Sequence, residues 1–527
     1  MPAARTTRAA TGMAGIVAIS RAAGFVRVLV VAAVLGTSYL GNAFQAANSF
    51  SNVLFELIAA GALSSVLVPT FVRLLDAGDQ KGAEEVAGGV LGFAVLVLGA
   101  VSLAGVLAAP LLARLLTVGV PASVVADQRE LITHLLRFFV PQVVLYSAGT
   151  IAIAVLQARR RFAVTVAAPI GNTLVMVACL LAFGASVSGT PTFDLTGSQR
   201  WLLVVAGTGG VLAFVLPLLI ATRASGFRLY PRFAFSDSRV RELLRHSGWG
   251  VVLHSAAGLL LGAAIVAGSG VEGAVVAYQV GWVFFLAPFA IFAQPVQTAV
   301  LPELVAEVEG GDLARFRTTM RWSLERTALF VLPVSAAMMA LALPGMRAVS
   351  FGEAGGNGPG LLAAAVASLA VGLYPYGAFL LLARAYYALG DSRTPGFAAL
   401  WVSAAGVVVM LAGGLLTDGP ARVAVLGAGH SFAYLLGCFL LLRGLGRRAG
   451  GSVVPTRVGT MVLVSAAVGV VVWLGSGIAL EGPGGRLRDI AVLTVAGVVG
   501  GALVFAGYRV AGLPGALTQR TPVGDTP

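Results

Sequence analysis

The chain has 527 residues, of which 58% are hydrophobic and 11% charged, and its mean hydropathy is +0.92. This composition excludes a soluble protein, because a soluble chain of this length needs far more charged side chains to cover its surface. The formal net charge of +13 comes almost wholly from arginine, since Lys81 is the only lysine.

The apolar residues form continuous runs of about 20 residues, the length that a helix needs to cross a bilayer. These runs lack the alternating pattern of a β-barrel, so the sequence predicts an all-α polytopic membrane protein. We predict about fourteen transmembrane helices of this length. Their centres are Arg21, Ile58, Val95, Val144, Val175, Val211, Leu259, Phe289, Val331, Ala367, Val408, Ala433, Val468 and Val495.

The basic side chains concentrate in alternate loops. By the positive-inside rule, this pattern predicts that both termini are cytoplasmic. Orientation and contact with anionic membrane lipids explain the basic balance better than binding of nucleic acid does. These basic loops include Arg159, Arg160 and Arg161 after the fourth span, Arg223, Arg228, Arg232, Arg239, Arg241 and Arg245 after the sixth, and Arg443, Arg447, Arg448 and Arg457 after the twelfth.

The first predicted span, residues 11–36, carries Arg21 and Arg27 inside its apolar run. An arginine at the centre of a spanning helix costs roughly 2.5–3.5 kcal/mol, so such residues usually face an interior cavity. The two arginines are about 240° apart around an ideal helix, and a bend at Gly24 would aim both at one cavity. Paired guanidinium groups suit a phosphate or pyrophosphate, so we expect Arg21 and Arg27 to bind substrate. The alternative for Arg27 is that it snorkels or pairs with Glu56.

The second predicted span adds Asn42, Asn52 and Glu56 as candidate polar or ion-pairing residues of the same cavity. Glu56 is expected to neutralise one of the arginines; binding of a coupling cation or proton, or a position in a water-filled vestibule, are the alternatives. Asparagines in spanning helices more often form hydrogen bonds between helices than contacts with substrate.

An internal repeat organises the chain. The segment VPTFVRLLDAGD (68–79) resembles LPELVAEVEGGD (301–312) at an offset of 233 residues. That offset contains an even number of spans, so the two halves are predicted to be parallel six-helix lobes with a substrate site between them. Access to such a site alternates as one lobe rocks on the other. The predicted regions are an N-terminal lobe (9–223), a C-terminal lobe (239–446), two additional helices (454–511) and a cytoplasmic tail (512–527).

The sequence contains no Walker loop, zinc-ligand spacing or nucleophile elbow. It therefore predicts a transporter rather than an enzyme, with no cofactor and no metal. Cys179 and Cys438 fall in different spans and are expected to be apolar packing residues. For His430, in GAGHSFAY, a core hydrogen bond is favoured over a proton relay.

Three segments carry a family resemblance: SRAAGFVRVLVVAAVLG (20–36), NAFQAANSFSNVLFELIAAGALSSVLVP (42–69) and RAYYALGDSRTP (384–395). Their motifs S-R-x-x-G-F-x-R and Y-Y-A-L-G-D-x-R-T-P resemble the lipid II flippases of the MurJ or MviN family. That family belongs to the multidrug/oligosaccharidyl-lipid/polysaccharide exporter (MOP) superfamily. The resemblance extends over nearly the whole chain.

The resemblance implies a protein of the bacterial cytoplasmic membrane that moves an undecaprenyl-pyrophosphate-linked peptidoglycan precursor, lipid II, for cell-wall synthesis. It implies that Arg21 and Arg27 engage the pyrophosphate in a central cationic cavity. It also implies that the helices in 454–511 form a groove for the lipid tail, and that cell-wall synthesis proteins are candidate partners.

The chain departs from the family pattern at several cavity positions. Phe55 and Glu56 stand where the family usually has an arginine pair. Asn42 stands where it has an aspartate, and Ala60 where it has a glutamate. The family has an arginine early in the eighth span, where residues 279–285 contain no base. A less positive cavity leaves two alternatives open: an exporter of another polyprenyl-linked glycan or amphiphile, and a non-transporting scaffold for wall synthesis.

Overall fold

In the computed structural model, the chain folds into helices joined by short connections. The structure describes residues 2–55, 61–233, 248–356, 358–480 and 485–513, and side chains from residue 15 onwards except 61–66 and 248–254. No β-strand occurs in these ranges, which agrees with the continuous apolar runs of the sequence. The chain divides into two compact units, which are described separately.

The first unit comprises Met1–Val276 together with Phe351–Ala354. A π-helical turn, Val205–Gly209, joins its ninth and tenth helices. The helices are α1 (Pro2–Leu35), α2 (Tyr39–Phe55), α3 (Gly61–Asp76), α4 (Gln80–Leu107), α5 (Ala109–Leu115), α6 (Val125–Phe139), α7 (Gln142–Ala158), α8 (Phe162–Ser186), α9 (Gly197–Val204), α10 (Gly210–Ala224) and α11 (Gly248–Gly268).

The second unit comprises Ala277–Ser350 and Gly355–Pro527. A π-helical turn, Phe289–Ala293, follows Pro288, which has no N–H to donate to the helical ladder. The helices are α12 (Ala274–Pro288, whose first three residues belong to the first unit), α13 (Gln294–Glu309), α14 (Leu313–Ala340), α15 (Ala342–Val349), α16 (Gly358–Ala370), α17 (Leu373–Ala388), α18 (Arg393–Leu416), α19 (Gly419–Arg448), α20 (Val458–Ala479) and α21 (Arg486–Val510).

The predicted class, an all-α polytopic membrane protein, is confirmed. Within the described ranges, eleven helices are long and apolar enough to cross a membrane, or twelve if the pair α16–α17, bent by 41°, forms one span. The count of about fourteen stays a prediction. The second predicted span is interrupted by residues 56–60, which lie outside the described part, and the seventh is represented by the shorter apolar segment Ser255–Gly268.

The two copies of the repeated segment have the same local structure. Gly78 and Gly311 end their helices with φ of +75° and +72°, values that glycine adopts without steric cost. The aspartate that follows each glycine caps the next helix: Asp79 accepts a hydrogen bond from the N–H of Gly82, and Asp312 from that of Arg315. The lobe boundaries inferred from the repeat stay a prediction; the first compact unit runs on to Val276.

We expect the Asp79→Ala substitution to lower the free energy of unfolding by about 1 kcal/mol, because it removes this cap from α4. The lost hydrogen bond is 2.8 Å long, from the Gly82 N–H to Oδ1 of Asp79. Denaturant unfolding of the purified chain in detergent measures the change. The matched control is Asp76→Ala, which removes an exposed carboxylate three residues earlier. An equal loss in both variants would mean that charge, rather than the cap, matters here.

In the first unit, α1 packs mainly against α8 and against the short turn Gly352–Ala354. Gly352 has a φ of +59°, and a Cβ added there would lie 2.3 Å from the carbonyl oxygen of Ala33. Only glycine allows this turn to approach the end of α1 so closely. The end of α1 is thereby fixed by a segment that follows it by more than 300 residues in the chain.

In the second unit, α20 and α21 pack against each other, α20 also against α14, and α21 against α15. Ser465 and Tyr508 join the two helices through a hydrogen bond of 2.9 Å between their hydroxyl groups. Met461 and Tyr508 also contribute to a buried apolar cluster with Ala328 and Leu329 of α14. The predicted additional helices are therefore anchored to the second unit through these contacts.

Candidate functional site

Arg27 lies on α1 beside an aromatic cluster of the first unit. Its side chain interacts electrostatically with Tyr146 of α7. The ring centroid of Tyr146 lies 5.5 Å from that of Phe55 in α2 and 6.5 Å from that of Phe214 in α10. Arg27 is half-buried, and within the described part of the chain it forms no ion pair. A partly exposed guanidinium inside an apolar span needs water or an anion beside it, because an unpaired charge in hydrocarbon is costly.

Arg21 lies six residues earlier on the same helix, about 9 Å away along the helix axis. Its side chain is exposed. α1 is one continuous helix from Pro2 to Leu35, and a Cβ added at Gly24 would meet no described atom within 4 Å. The helix is therefore not broken between the two arginines, and open space lies at Gly24. The role of Arg21 and Arg27 as substrate ligands stays a prediction.

The polar residues predicted on the second span lie in different environments. Asn52 is half-buried, and its Nδ2 donates to the carbonyl oxygen of Asn48 at 3.4 Å, within the same helix. Asn42 is buried, with 1% of its surface exposed. Glu56 lies outside the described residues. Asn52 thus uses its side chain within its own helix, and Asn42 uses its side chain between helices.

Asn42 connects α2 to the beginning of α12. Its Nδ2 donates to the carbonyl oxygen of Val271 at 2.8 Å, and its Oδ1 accepts from the N–H groups of Val275 at 3.0 Å and Val276 at 3.4 Å. The first N–H groups of a helix have no partner within the helix, so Asn42 satisfies them from another segment. This buried residue therefore acts as the cap of α12.

Further contacts near Asn42 join three segments of the first unit: the start of α2, the connection before α6 and the connection before α12. The Tyr39 hydroxyl donates to the carbonyl oxygen of Gly270 at 3.3 Å, and the Ser269 hydroxyl to that of Val118 at 2.6 Å. A Cβ added at Gly273 would lie 2.5 Å from the Cβ of Thr37, so the two backbones are in close contact. We refer to this set as the Asn42 closure: Thr37, Tyr39, Asn42, Val118, Ser269 and residues 270–276.

The motif Y-Y-A-L-G-D-x-R-T-P forms a second polar group, at the end of α17. Oδ1 of Asp391 accepts from the N–H groups of Arg393 and Thr394, both at 3.0 Å. Oδ2 of Asp391 forms an ion pair with Arg448, whose guanidinium also donates to the Thr394 hydroxyl at 3.2 Å. The same guanidinium lies 5.4 Å from the ring centroid of Tyr386. The motif thus binds the last residue of α19 to the connection between α17 and α18.

We expect Asp391→Asn to lower the free energy of unfolding by about 1 kcal/mol near neutral pH, because it removes the charge of the ion pair with Arg448. Burial opposes ionisation of Asp391, but hydrogen bonds from Thr394 and the charge of Arg448 outweigh it, so the pKa of this carboxyl is lower than its ordinary value of 3.8. The stabilisation is therefore fully present above pH 3.8 and is lost as the pH falls below it.

Unfolding midpoints of the wild type and Asp391→Asn, measured in detergent across this pH range, test the prediction. The difference between them should be constant above the ordinary carboxyl pKa and shrink below it. Asp127→Asn, which changes an exposed carboxylate, serves as the control. A difference that persists unchanged into acid would contradict the assigned role of the ion pair.

His430 lies in a buried aromatic cluster of the second unit. Its Nδ1 is 3.2 Å from the Tyr278 hydroxyl, and rings of Trp282, Tyr434 and Phe285 lie at centroid distances of 4.7, 4.9 and 5.7 Å. This arrangement matches the expected core hydrogen bond. Among the described residues, no group of three or more His, Cys, Asp or Glu side chains is placed to hold a metal ion.

Two solved structures of membrane transporters have a similar fold. The structure of a lipid II flippase MurJ in an inward closed conformation superposes with a TM-score of 0.74, at 18% identity, over 95% of this chain and 99% of that one. An inward-facing multidrug resistance MATE transporter of the MOP superfamily gives a TM-score of 0.63, at 15% identity, over 81% of this chain and 95% of that one. The protein therefore has the fold of the MurJ and MATE membrane transporters.

The family described as lipid II flippase MurJ matches residues 31–484. A probable lipid II flippase MurJ from Rhizobium tropici is 28% identical over 471 residues, which are 86% of this chain and 84% of the relative. The chain belongs to the MurJ family. The matched range begins four residues after Arg27, so the family assignment stands independently of the two arginines of α1.

Proposed function

We propose that this protein is a flippase that moves lipid-linked peptidoglycan precursor, lipid II, across the bacterial cytoplasmic membrane for cell-wall synthesis. The observation that supports this most strongly is the family match over residues 31–484. The MurJ- and MATE-like fold supports transport by alternating access between two lobes. The alternating basic loops support an orientation with both termini in the cytoplasm.

In this proposal Arg27 and Arg21 bind the pyrophosphate of the cargo. The half-buried position of Arg27, with no ion pair in the described residues, leaves its guanidinium available for an anion. Tyr146 would orient it, since a hydroxyl beside a guanidinium restricts its rotamers without neutralising its charge. Bidentate contacts from arginine suit the planar geometry of phosphate oxygens.

A different polyprenyl-linked glycan is the second candidate cargo, and one observation favours it. Phe55 packs against Tyr146 at a position where the resemblance implies an arginine, so an aromatic ring replaces a cation beside Arg27. Residues 279–285 likewise contain no base. A site with fewer positive charges binds a pyrophosphate less tightly and tolerates a cargo with a smaller anionic charge.

Complementation of a strain depleted of its own lipid II flippase tests the proposal. Expression of this chain should restore growth, and lipid II in the outer leaflet should become accessible to an added hydrolase that cannot cross the membrane. Restored growth without exposed lipid II would contradict a flippase. Failure to complement, together with accumulation of another lipid-linked glycan when the native copy is deleted, would select the second cargo.

A non-transporting scaffold would give a third pattern in the same experiment. Its function would survive replacement of Arg21 and Arg27, and the protein would still bind cell-wall synthesis proteins. A flippase requires at least one of these charges, since an uncompensated pyrophosphate does not enter an apolar interior.

A further inference from the structure

Three consecutive arginines line an open pocket at one end of the first unit. The pocket has a volume of about 480 Å³ and is lined by Leu75, Gly78, Gln80, Ala158, Arg159, Arg160 and Arg161. This is the size range of small-molecule binding sites. No carboxylate occurs among these lining residues, although the pocket carries three positive charges. We refer to it as the Arg159–161 pocket.

Arg159 forms a fixed wall of this pocket. Its guanidinium donates to the carbonyl oxygen of Ser225 and to Oε1 of Gln80, the latter at 2.9 Å, and it lies 5.6 Å from the ring centroid of Phe227. Nε2 of Gln80 in turn donates to the carbonyl oxygen of Gly226 at 2.8 Å. The Nε atom of Arg159 is buried and has no partner in the described part of the chain. These contacts hold the Arg159 guanidinium in one position at the wall of the pocket.

Arg160 and Arg161 have no such partners. Both side chains are exposed, and neither forms an ion pair within the described part of the chain. Arg160 is the one non-glycine residue with positive φ in the described ranges, at +57°. A residue with a Cβ is unfavourable in this conformation, and such positions concentrate at functional sites.

The end of α17 in the second unit corresponds to the end of α7 in the first, but the two ends carry different residues. At the end of α17, Gly390 has a φ of +74°, and the N–H of Asp391 bonds the carbonyl oxygen of Tyr386. At the end of α7 the same pattern is formed by Arg160 and by the N–H of Arg161, which bonds the carbonyl oxygen of Leu156. A glycine–aspartate pair in one unit is therefore replaced by an arginine–arginine pair in the other.

This replacement inverts the charge of the site. In the second unit, the carboxylate of Asp391 is neutralised by Arg448 of the same chain. In the first unit, the equivalent position carries the guanidinium of Arg161, and no carboxylate is among the residues that line the pocket. The carboxylate of Glu84 lies beside the lining residue Gln80 and accepts a hydrogen bond from its Nε2 at 3.0 Å. An external anion would complete the site as Asp391 completes its counterpart.

We propose that the Arg159–161 pocket binds a phosphate group, carried either by the headgroup of an anionic phospholipid or by a soluble phosphate. Guanidinium groups bind phosphate oxygens in pairs, and three of them line this pocket. Phe162, which is 40% exposed, follows directly at the start of α8, a candidate membrane span. The pocket thus lies at the end of a span, the depth of a lipid headgroup. This inference does not rest on the proposed cargo.

Binding of phosphatidylglycerol to the full-length protein in detergent micelles, followed by native mass spectrometry, tests the proposal. The double variant Arg160→Gln/Arg161→Gln should lose at least about tenfold in affinity, because each removes a charge-assisted contact. The control is Arg223→Gln/Arg228→Gln, which makes the same change in charge at two exposed arginines outside the pocket. The control, and phosphatidylcholine with any variant, should show no comparable loss.

A third variant separates binding from folding. Arg160→Gly suits the positive φ of this position, so its unfolding midpoint should equal or exceed that of the wild type while its affinity for phosphatidylglycerol falls. If only inorganic phosphate distinguishes the pocket variant from its control, the phosphate is soluble rather than lipid-borne. If neither phosphatidylglycerol nor inorganic phosphate distinguishes them, the proposal is overturned.

Discussion

Replacement of Arg27 by alanine is expected to abolish growth of a flippase-depleted strain that depends on this chain, while the protein still inserts into the membrane. A charge-assisted hydrogen bond contributes about 1.5–3 kcal/mol, so loss of a bidentate contact should weaken binding of a pyrophosphate by at least about 100-fold. Within the described residues the guanidinium has no ion pair whose loss would unfold the protein. The effect should therefore be on transport rather than on folding.

Two companion variants make the Arg27 prediction specific. Arg27→Lys keeps the charge but loses the planar pair of donors, so it should give partial growth. Tyr146→Phe keeps the aromatic contacts with Phe55 and Phe214 but loses the hydroxyl beside Arg27, so it should give a smaller defect in the same assay. Membrane fractions and size-exclusion profiles report the amount and the folding of each variant.

Arg21→Ala is expected to impair growth as well, since an exposed arginine on the same helix lies about 9 Å from Arg27 along the axis. Growth at the wild-type rate after loss of both arginines would overturn the proposed pyrophosphate site. It would leave the family assignment intact, because the matched range begins after both residues.

The fold class was predictable from the sequence, and so was the way in which the repeated helices end. Continuous apolar runs fix the choice of helix over strand, because backbone groups in hydrocarbon must bond within their own segment. The Gly-Asp pairs at 78–79 and 311–312 produce the same helix end and the same cap in both copies. The positive φ of the glycine and the hydrogen bond to the aspartate each involve only residues that are close in the sequence. Arg27 was predictable as a candidate because a charge within an apolar run is conspicuous.

The partners of the polar residues were not predictable, because they come from distant parts of the chain. Asn42 bonds backbone groups more than 200 residues away, and Asp391 pairs with Arg448 on another helix. The sequence favoured helix–helix hydrogen bonding for asparagines, which describes Asn42, but it gave no partner. The one available signal for Tyr146 was that it carries the one aromatic hydroxyl of the fourth predicted span.

The Asn42→Ala substitution is expected to open the Asn42 closure. It would leave the carbonyl oxygen of Val271 and the N–H of Val275 without their present partners, and each unpaired buried group costs roughly 1–3 kcal/mol. We predict that the closure separates in one state of the transport cycle, because it joins residues of the predicted lobes 9–223 and 239–446, so this cost falls on the closed state alone. The population of the open state should rise at least about tenfold.

The measurement uses Ser269→Cys as a reporter in a background without Cys179 and Cys438. Ser269 is buried in the closure, with 1% of its surface exposed, so a water-soluble thiol reagent reaches Cys at this position only when the closure opens. Asn42→Ala should raise the labelling rate about tenfold or more, in proportion to the open population. Asn52→Ala, which removes a half-buried asparagine bonded within its own helix, should leave the rate unchanged. Equal rates in the two asparagine variants would show that the hydrogen bonds of Asn42 stabilise both states equally, and the closure would then have no part in the transport cycle.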